Sequence, residues 1–146
     1  MDELLLIVTI AGQRVALRTS EVQSLVEIDT LAPVPRAPAH IAGLSALRSR
    51  VLTVIDCMHS LELVRDPAAR PMHEAVVVEH EGHSYALAVD SVEDVVVARS
   101  APVALRAGLG DGWERVSLGM IECDDGALLL VDVAALIAGP EAAKAA

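Results

Sequence analysis

The side chains best equipped for chemistry cluster at Asp56-Cys57-Met58-His59, where a carboxylate, a thiol and an imidazole fall within four residues. A thiol nucleophile needs a base to take its proton and donors to hold the developing oxyanion. No partnered base and no glycine-built oxyanion loop accompanies Cys57. Buried structural cysteine is the expected role, with a small thiol enzyme using Cys57, His59 and Asp56 as the competing reading. Asp56 and Asp132 resemble an acid–base pair, but each ends an apolar run and opens a helix-like one, so both read as helix N-caps. His80 and His83, with Glu79 and Glu81, bracket a turn. A metal site needs three or four convergent ligands, so these read as polar hairpin-tip residues, and no metal or cofactor is expected. Gly108-Leu109-Gly110-Asp111-Gly112 follows a proline loop rather than a strand that opens into a helix, and no phosphate-loop, dinucleotide or H-E-x-x-H motif occurs.

The elements that would carry these residues are short. Strands are expected at Leu4–Ile10, Gln13–Leu17, Val22–Ile28, Ile41–Leu47 and Val51–Ile55, with a short helix Cys57–Leu63. Pro33, Pro35 and Pro38 make the approach to the fourth strand irregular. Asp66 to Met72, with Pro67 and Pro71, reads as a linker. Strands then recur at Ala75–His80, Tyr85–Val89, Val92–Ala98, Val116–Cys123 and Ala127–Val131, followed by a helix Val133–Ala138. Asp124-Asp125-Gly126 is a strong hairpin turn between the last two strands.

The second half repeats the first. Gly12, Ala16, Leu17, Val22, Leu25 and Val26 match Gly82, Ala86, Leu87, Val92, Val95 and Val96 at a spacing of 70. Gly43, Leu52, Ile55 and Asp56 match Gly119, Leu128, Val131 and Asp132 at a spacing of 76, consistent with a six-residue insertion in the second loop. Two similar five-stranded units are expected, since a solenoid needs about three or more repeats. Small barrels suit such strands because closure removes sticky edges. The expected division is one domain over 4–138, with a first subdomain at about 12–66 and a second at about 72–138. Strand 4–10 is free to cross over, and 139–146 forms a flexible tail. A groove lined by Val and Leu between two barrels would be a natural partner surface.

Composition narrows the partners. Eleven Lys+Arg against 21 Asp+Glu give −10, which leaves no electrostatic footprint for nucleic acid or anionic lipid. With Tyr85, Trp113 and no Phe, base stacking has almost no platform. Mean hydropathy is high, +0.49, yet no apolar run approaches the roughly 20 residues of a membrane span. The acidic start Met1-Asp2-Glu3 is unlike a secretory signal, so Cys57 and Cys123 are expected as reduced thiols.

The run from Val34 to Asp56 (VPRAPAHIAGLSALRSRVLTVID) resembles the CheW-like family, the coupling proteins of bacterial chemotaxis. The family pattern there is a proline-containing approach, an aliphatic-x-Gly turn, a strand ending Asn-Leu-Arg-Gly, and an apolar strand ending in Asp. Ala86 to Val95 is similar to the family's Val-Asp-x-Val-x-x-Val segment, and Gly119 to Asp132 to its closing hairpin. The resemblance covers roughly Leu4 to Ala138. Ala46 replaces the usual Asn, Ser49 the usual Gly and Thr53 a frequent Pro, while Arg48 is retained. A glycine in that turn would serve a positive φ, so Ser49 is expected to alter the loop or to carry strain.

The resemblance implies an all-β fold of two SH3-like barrels side by side with short helices, and a cytoplasmic, non-catalytic scaffold recruited to receptor arrays at the inner membrane. Implied partners are the regulatory domain of a CheA-type histidine kinase and the cytoplasmic tip of a methyl-accepting chemoreceptor, with no nucleic acid and no membrane insertion. The tip would lay an apolar helical face in the inter-barrel groove. Flagellar and non-flagellar outputs remain alternatives. Implied partner-binding positions are Val22, Ser24, Leu25, Gly43, Arg48, Val76, Val92 and Val95. Ser24 stands where relatives often carry an acid. Taken by residue type alone, each of the apolar positions reads first as core. However, Val22/Leu25 and Val92/Val95 are each three apart, so without a bulge one of each pair faces away from the core.

Overall fold

The computed structural model describes residues 3–47, 49–63, 73–104, 110–124 and 126–145. The order is β1 (Leu4–Ile10), β2 (Gln13–Arg18), β3 (Val22–Glu27), β4 (Ile41–Leu47), β5 (Arg50–Asp56), α1 (Cys57–Ser60), β6 (Glu74–His80), β7 (His83–Val89), β8 (Ser91–Val97), α2 (Asp111–Arg115), β9 (Ser117–Cys123), β10 (Gly126–Val131) and α3 (Val133–Ala145). The all-β expectation holds. The expected linker at 66–72, Arg48 and the Gly108-Leu109 stretch lie outside the described residues.

Two five-stranded sheets form, ordered β8-β1-β2-β10-β9 and β3-β6-β7-β5-β4. Each curls so that its first strand runs on toward its last. Beyond β8, Val103 pairs with Met120 of β9, and beyond β3, Ala32 pairs with Leu44 of β4. We call the first barrel one and the second barrel two. The repeat survives at the level of register: Leu5↔Arg18 and Ile7↔Ala16 in barrel one match Ala75↔Ala88 and Val77↔Ala86 in barrel two.

The barrels are not the successive halves 12–66 and 72–138. Barrel two is continuous, from β3 through β7, and barrel one combines β1 and β2 with β8, β9 and β10. The physical reason lies in the two parallel pairings, β2 with β10 and β5 with β7. Parallel strands need a crossover rather than a tight turn, so their partners are distant in sequence. The tail expectation also needs correcting, because the backbone is helical again beyond Gly139 up to Ala145.

Burial divides the apolar residues by strand face. Leu5, Ile7, Ala16, Ile121, Leu128 and Leu130 fill barrel one, and Leu52, Val54, Ala75, Val77, Ala86 and Ala88 fill barrel two. The intervening residues, among them Leu6, Val8, Leu17, Val76, Val78, Leu87 and Leu129, pack into a third cluster that joins both sheets with the three helices. The space between the barrels is thus filled by the chain's own side chains. The open apolar groove expected there is corrected accordingly.

The C-terminal end of the first part of α3 is held from three directions. Arg115 donates to the Ala135 carbonyl at 2.6 Å, Ser60 Oγ to Leu136 at 2.7 Å and His40 Nε2 to Ile137 at 2.8 Å. These carbonyls would otherwise lack partners where the helix breaks at Gly139 and Pro140. A second Arg115 nitrogen donates to the carbonyl and hydroxyl of Ser60, tying α1 to α2. Lysine lacks the fork needed to reach both helices. Arg115→Ala should therefore lower unfolding free energy by about 2–4 kcal/mol, and Arg115→Lys should restore only part of it, read by urea denaturation.

Candidate protein-docking site

Gly43 and Gly119 open the edge strands β4 and β9 in matching ways. A side chain built on Gly43 would collide with the Ala32 carbonyl, and one on Gly119 with the Val103 carbonyl. Each glycine lets an incoming loop lie against the strand and extend the ladder by one pair, Ala32↔Leu44 or Val103↔Met120. Gly43 is itself buried, so its part in any docking is to shape the backbone.

The sequence-derived positions separate by depth. Leu25 is 52% exposed and Val95 48% exposed, each on an outer strand. Ser24 beside Leu25 is exposed too. Val22 and Val92 are half-buried and pack against the cluster between the barrels. Both pairs span a bulge, between Val22 and Ser24 on β3 and between Val92 and Val95 opposite Leu6 and Val8 of β1, so simple strand parity does not apply to them, although one member of each pair does face solvent. Val76 is fully buried, and its partner-contact role is corrected: as the β6 residue facing between the barrels it packs among core side chains.

Ser24 and Leu25 come together with residues that sequence reasoning missed. They line a cleft of about 440 Å³ with Val26, Glu27, Asp29, Leu47, Arg50, Leu52 and Val77. On the outer face of the same barrel, Leu31, Leu44, Ala46 and Val51 line a shallower one, with Val51 65% exposed. Val92 and Val95 belong to barrel one and do not line either cleft. Sequence carried no signal for the missed residues: in β4 the polar Ser45 is buried while Leu44 and Ala46 are exposed, the reverse of what hydropathy gives.

The side chains of the catalytic reading are engaged in structural contacts. Asp56 caps α1, accepting from the Met58 and His59 amides at 3.0 and 3.3 Å, and its other oxygen meets His59 Nδ1 at 2.8 Å. Asp132 accepts from the Ala135 amide at 3.3 Å. Cys57 is wholly buried, and burial, reinforced by the Asp56 and Asp90 carboxylates, pushes its thiol far above the ordinary range. A thiolate is the reactive form, so burial disfavours the state in which Cys57 would react. Among the described residues, no three or more His, Cys, Asp or Glu side chains form a metal-binding group.

Ser49 keeps the backbone geometry that the family's glycine would supply, with φ +69°. A side chain at positive φ costs about 1–2 kcal/mol. The turn between β4 and β5 is thus retained under strain.

A family model described as "CheW-like domain" matches residues 4–141. Among solved structures, the scaffolding protein TtCheW from Thermoanaerobacter tengcongensis is similar at 19% identity with a TM-score of 0.75, over 91% of this chain and 86% of that one. At that identity the likeness speaks for the fold, two SH3-like barrels. No curated protein sequence matches. Two outcomes are expected from the site itself. Ser49→Gly should raise unfolding free energy by roughly 0.5–1 kcal/mol, read by thermal or urea melts. Cys57 should resist a thiol-reactive disulfide reagent in the folded protein and react at once in denaturant; rapid labelling at neutral pH would revive the thiol-enzyme reading.

Proposed function

This chain belongs to the CheW-like domain family, and from that premise we propose that it is a non-catalytic coupling scaffold joining a CheA-type histidine kinase to chemoreceptors. The family match over 4–141 carries this reading. The molecule's chemistry supports it: Cys57, two residues before His59, is buried and its thiol is pushed up by that burial, and the carboxylates that look catalytic are helix caps. What reaches solvent instead is apolar, at Leu25, Leu31, Leu44 and Val51 on barrel two and at Val95, Val103 and Leu118 on barrel one. Such exposed aliphatic groups suit protein contact.

The proposed partners are the kinase regulatory domain and the receptor's cytoplasmic tip. The proposed contact residues are Ser24 and Leu25 on barrel two, Val92 and Val95 on barrel one, and Arg48, with Gly43 shaping the backbone of β4. Val22 acts by packing beneath its strand. No described helix is long and apolar enough to cross a membrane, and we place the protein in the cytoplasm, held at receptor arrays on the inner membrane through its partners. Whether the output is flagellar or not follows from which receptor it serves.

The test is direct titration of the purified chain with an isolated kinase regulatory domain and, separately, with a soluble receptor-tip hairpin. Saturable one-to-one binding to both is expected at micromolar concentrations. Dissociation constants weaker than roughly 100 µM for both would remove the reading.

A further inference from the structure

Where the chain passes from barrel two to barrel one, between β7 and β8, it is held by carboxylates. Asp90, Glu93 and Asp94 lie at the crossing itself, and Glu74 reaches it from β6 of barrel two. Each has a partner inside the molecule. Asp90 accepts from the Gly12 amide at 2.9 Å, while its own amide donates to the Thr9 carbonyl at 2.8 Å. Glu74 accepts from the Val92 amide at 3.1 Å. Glu93 accepts from Arg14 Nε at 3.0 Å and from Thr9 Oγ1 at 3.1 Å. Asp94 accepts from the Val95 amide at 2.8 Å.

These contacts surround a bulge. Leu6 pairs with Val95 and Val8 with Val92, so Glu93 and Asp94 stand opposite Ile7 alone. A bulge interrupts the ladder and re-aims the side chains beside it. Here Val95 is turned out, 48% exposed, while Val92 stays against the cluster between the barrels. Both valine amides are met by carboxylates, and a hydrogen bond to an ionised acceptor is stronger than one to a neutral group. The β3 strand has a matching register shift, between Val22 and Ser24, but a different setting. At a spacing of 70, Leu4, Ser20 and Ser24 take the places of Glu74, Asp90 and Asp94. The Thr9–Glu93 contact does have a counterpart, between Glu79 and Gln23, with donor and acceptor exchanged.

We propose that Glu74 is a positioning residue for receptor binding: its carboxylate, reaching from one barrel to the other, fixes the β8 bulge in the shape that presents Val95 beside Val92. The receptor tip is the partner concerned. Val92 and Val95 make a narrow aliphatic row with Glu93 and Asp94 between them, and such a row matches the apolar stripe of a helix. A strand already fixed in its bound shape loses less freedom on binding. Glu74 is half-buried and engaged with the Val92 amide, so it acts through β8 and not by touching the partner. The proposal rests on the adaptor reading and names what sets one of its contact strands.

The experiment titrates a soluble receptor-tip hairpin and, separately, a kinase regulatory domain into the full chain and its Glu74→Ala and Glu74→Gln variants. Exchange of the Val92 amide is followed by NMR. Glutamine keeps an oxygen acceptor and gives up the charge. In Glu74→Ala, receptor-tip binding should weaken about tenfold and the Val92 amide exchange about tenfold faster, with kinase-domain binding within about twofold of natural. Glu74→Gln should recover most of both losses. If Glu74→Ala does not fold, Glu74→Asp takes its place, since it keeps the charge and shortens the reach. Natural receptor-tip affinity in the folded variant overturns the positioning role and leaves the adaptor reading standing. Equal loss for both probes also overturns it, because that is general destabilisation. So does a Glu74→Gln as weak as Glu74→Ala, which makes the charge itself the contact. A natural chain that binds the kinase domain and not the receptor tip overturns the inference alone; one that binds neither overturns the adaptor reading with it.

Discussion

The structure depends on strands that are buried on both faces. In β1, Leu5 and Ile7 point into barrel one while Leu6, Val8 and Ile10 point toward barrel two, and β6 does the same from the other side with Ala75 and Val77 against Val76 and Val78. Each fully buried aliphatic side chain contributes about 1.5–3 kcal/mol, and the shared cluster gathers such residues from both sheets. Neither barrel is complete as an apolar unit without the other. That constraint explains the high hydropathy of a chain with no membrane-spanning helix: the central strands read as continuous apolar runs because they have no polar face.

The same constraint accounts for the exchange of strands between the repeats. Each repeat contributes a hairpin to one barrel and three strands to the other, so both sheets show the same order of equivalent strands. The chain changes barrels after β2, through a single 3-10 turn at Thr19–Glu21, and again after β7 at Asp90. Both switches fall at the same point of the repeat. Because the chain crosses at both, the clustered side chains between the barrels seal a connection that is already covalent. The clamp on α3 adds a third tie, since His40 precedes β4 of barrel two while Arg115 precedes β9 of barrel one.

Much of this was legible in the residues. Strand positions followed from apolar runs cut by Gly12, Gly82 and Gly126, and the caps at Asp56 and Asp132 from a carboxylate placed before a helical run. The matched glycines 43 and 119 marked a true structural repeat, as their contacts with Ala32 and Val103 confirm. Strand partnership was not legible. Periodicity reports which face of a strand is buried, and says nothing of which distant strand lies beside it in a parallel pair. Placing each barrel in one half of the chain followed from that gap, as did the groove between them. Val76 illustrates the same limit: among valines buried on both faces, residue type does not distinguish a core position from a contact.

Duplication also shows where selection for packing relaxed. Between the barrels the equivalent positions stay large and apolar: Leu17 and Leu87, Val8 and Val78, Val131 and Ile55. Elsewhere in the barrels they diverge in charge and in size, from Arg99 to Asp29 and from Ile121 to Ser45. Shrinking a centre costs stability through lost apolar contact. A barrel can bear that cost only if its other face is firmly buried, and β6 and β7 are buried on theirs by Val76, Val78, Leu87 and Val89. The firm contact between the barrels is therefore what lets the centre of barrel two carry Ala75, Val77 and Ser45 where barrel one carries Leu5, Ile7 and Ile121.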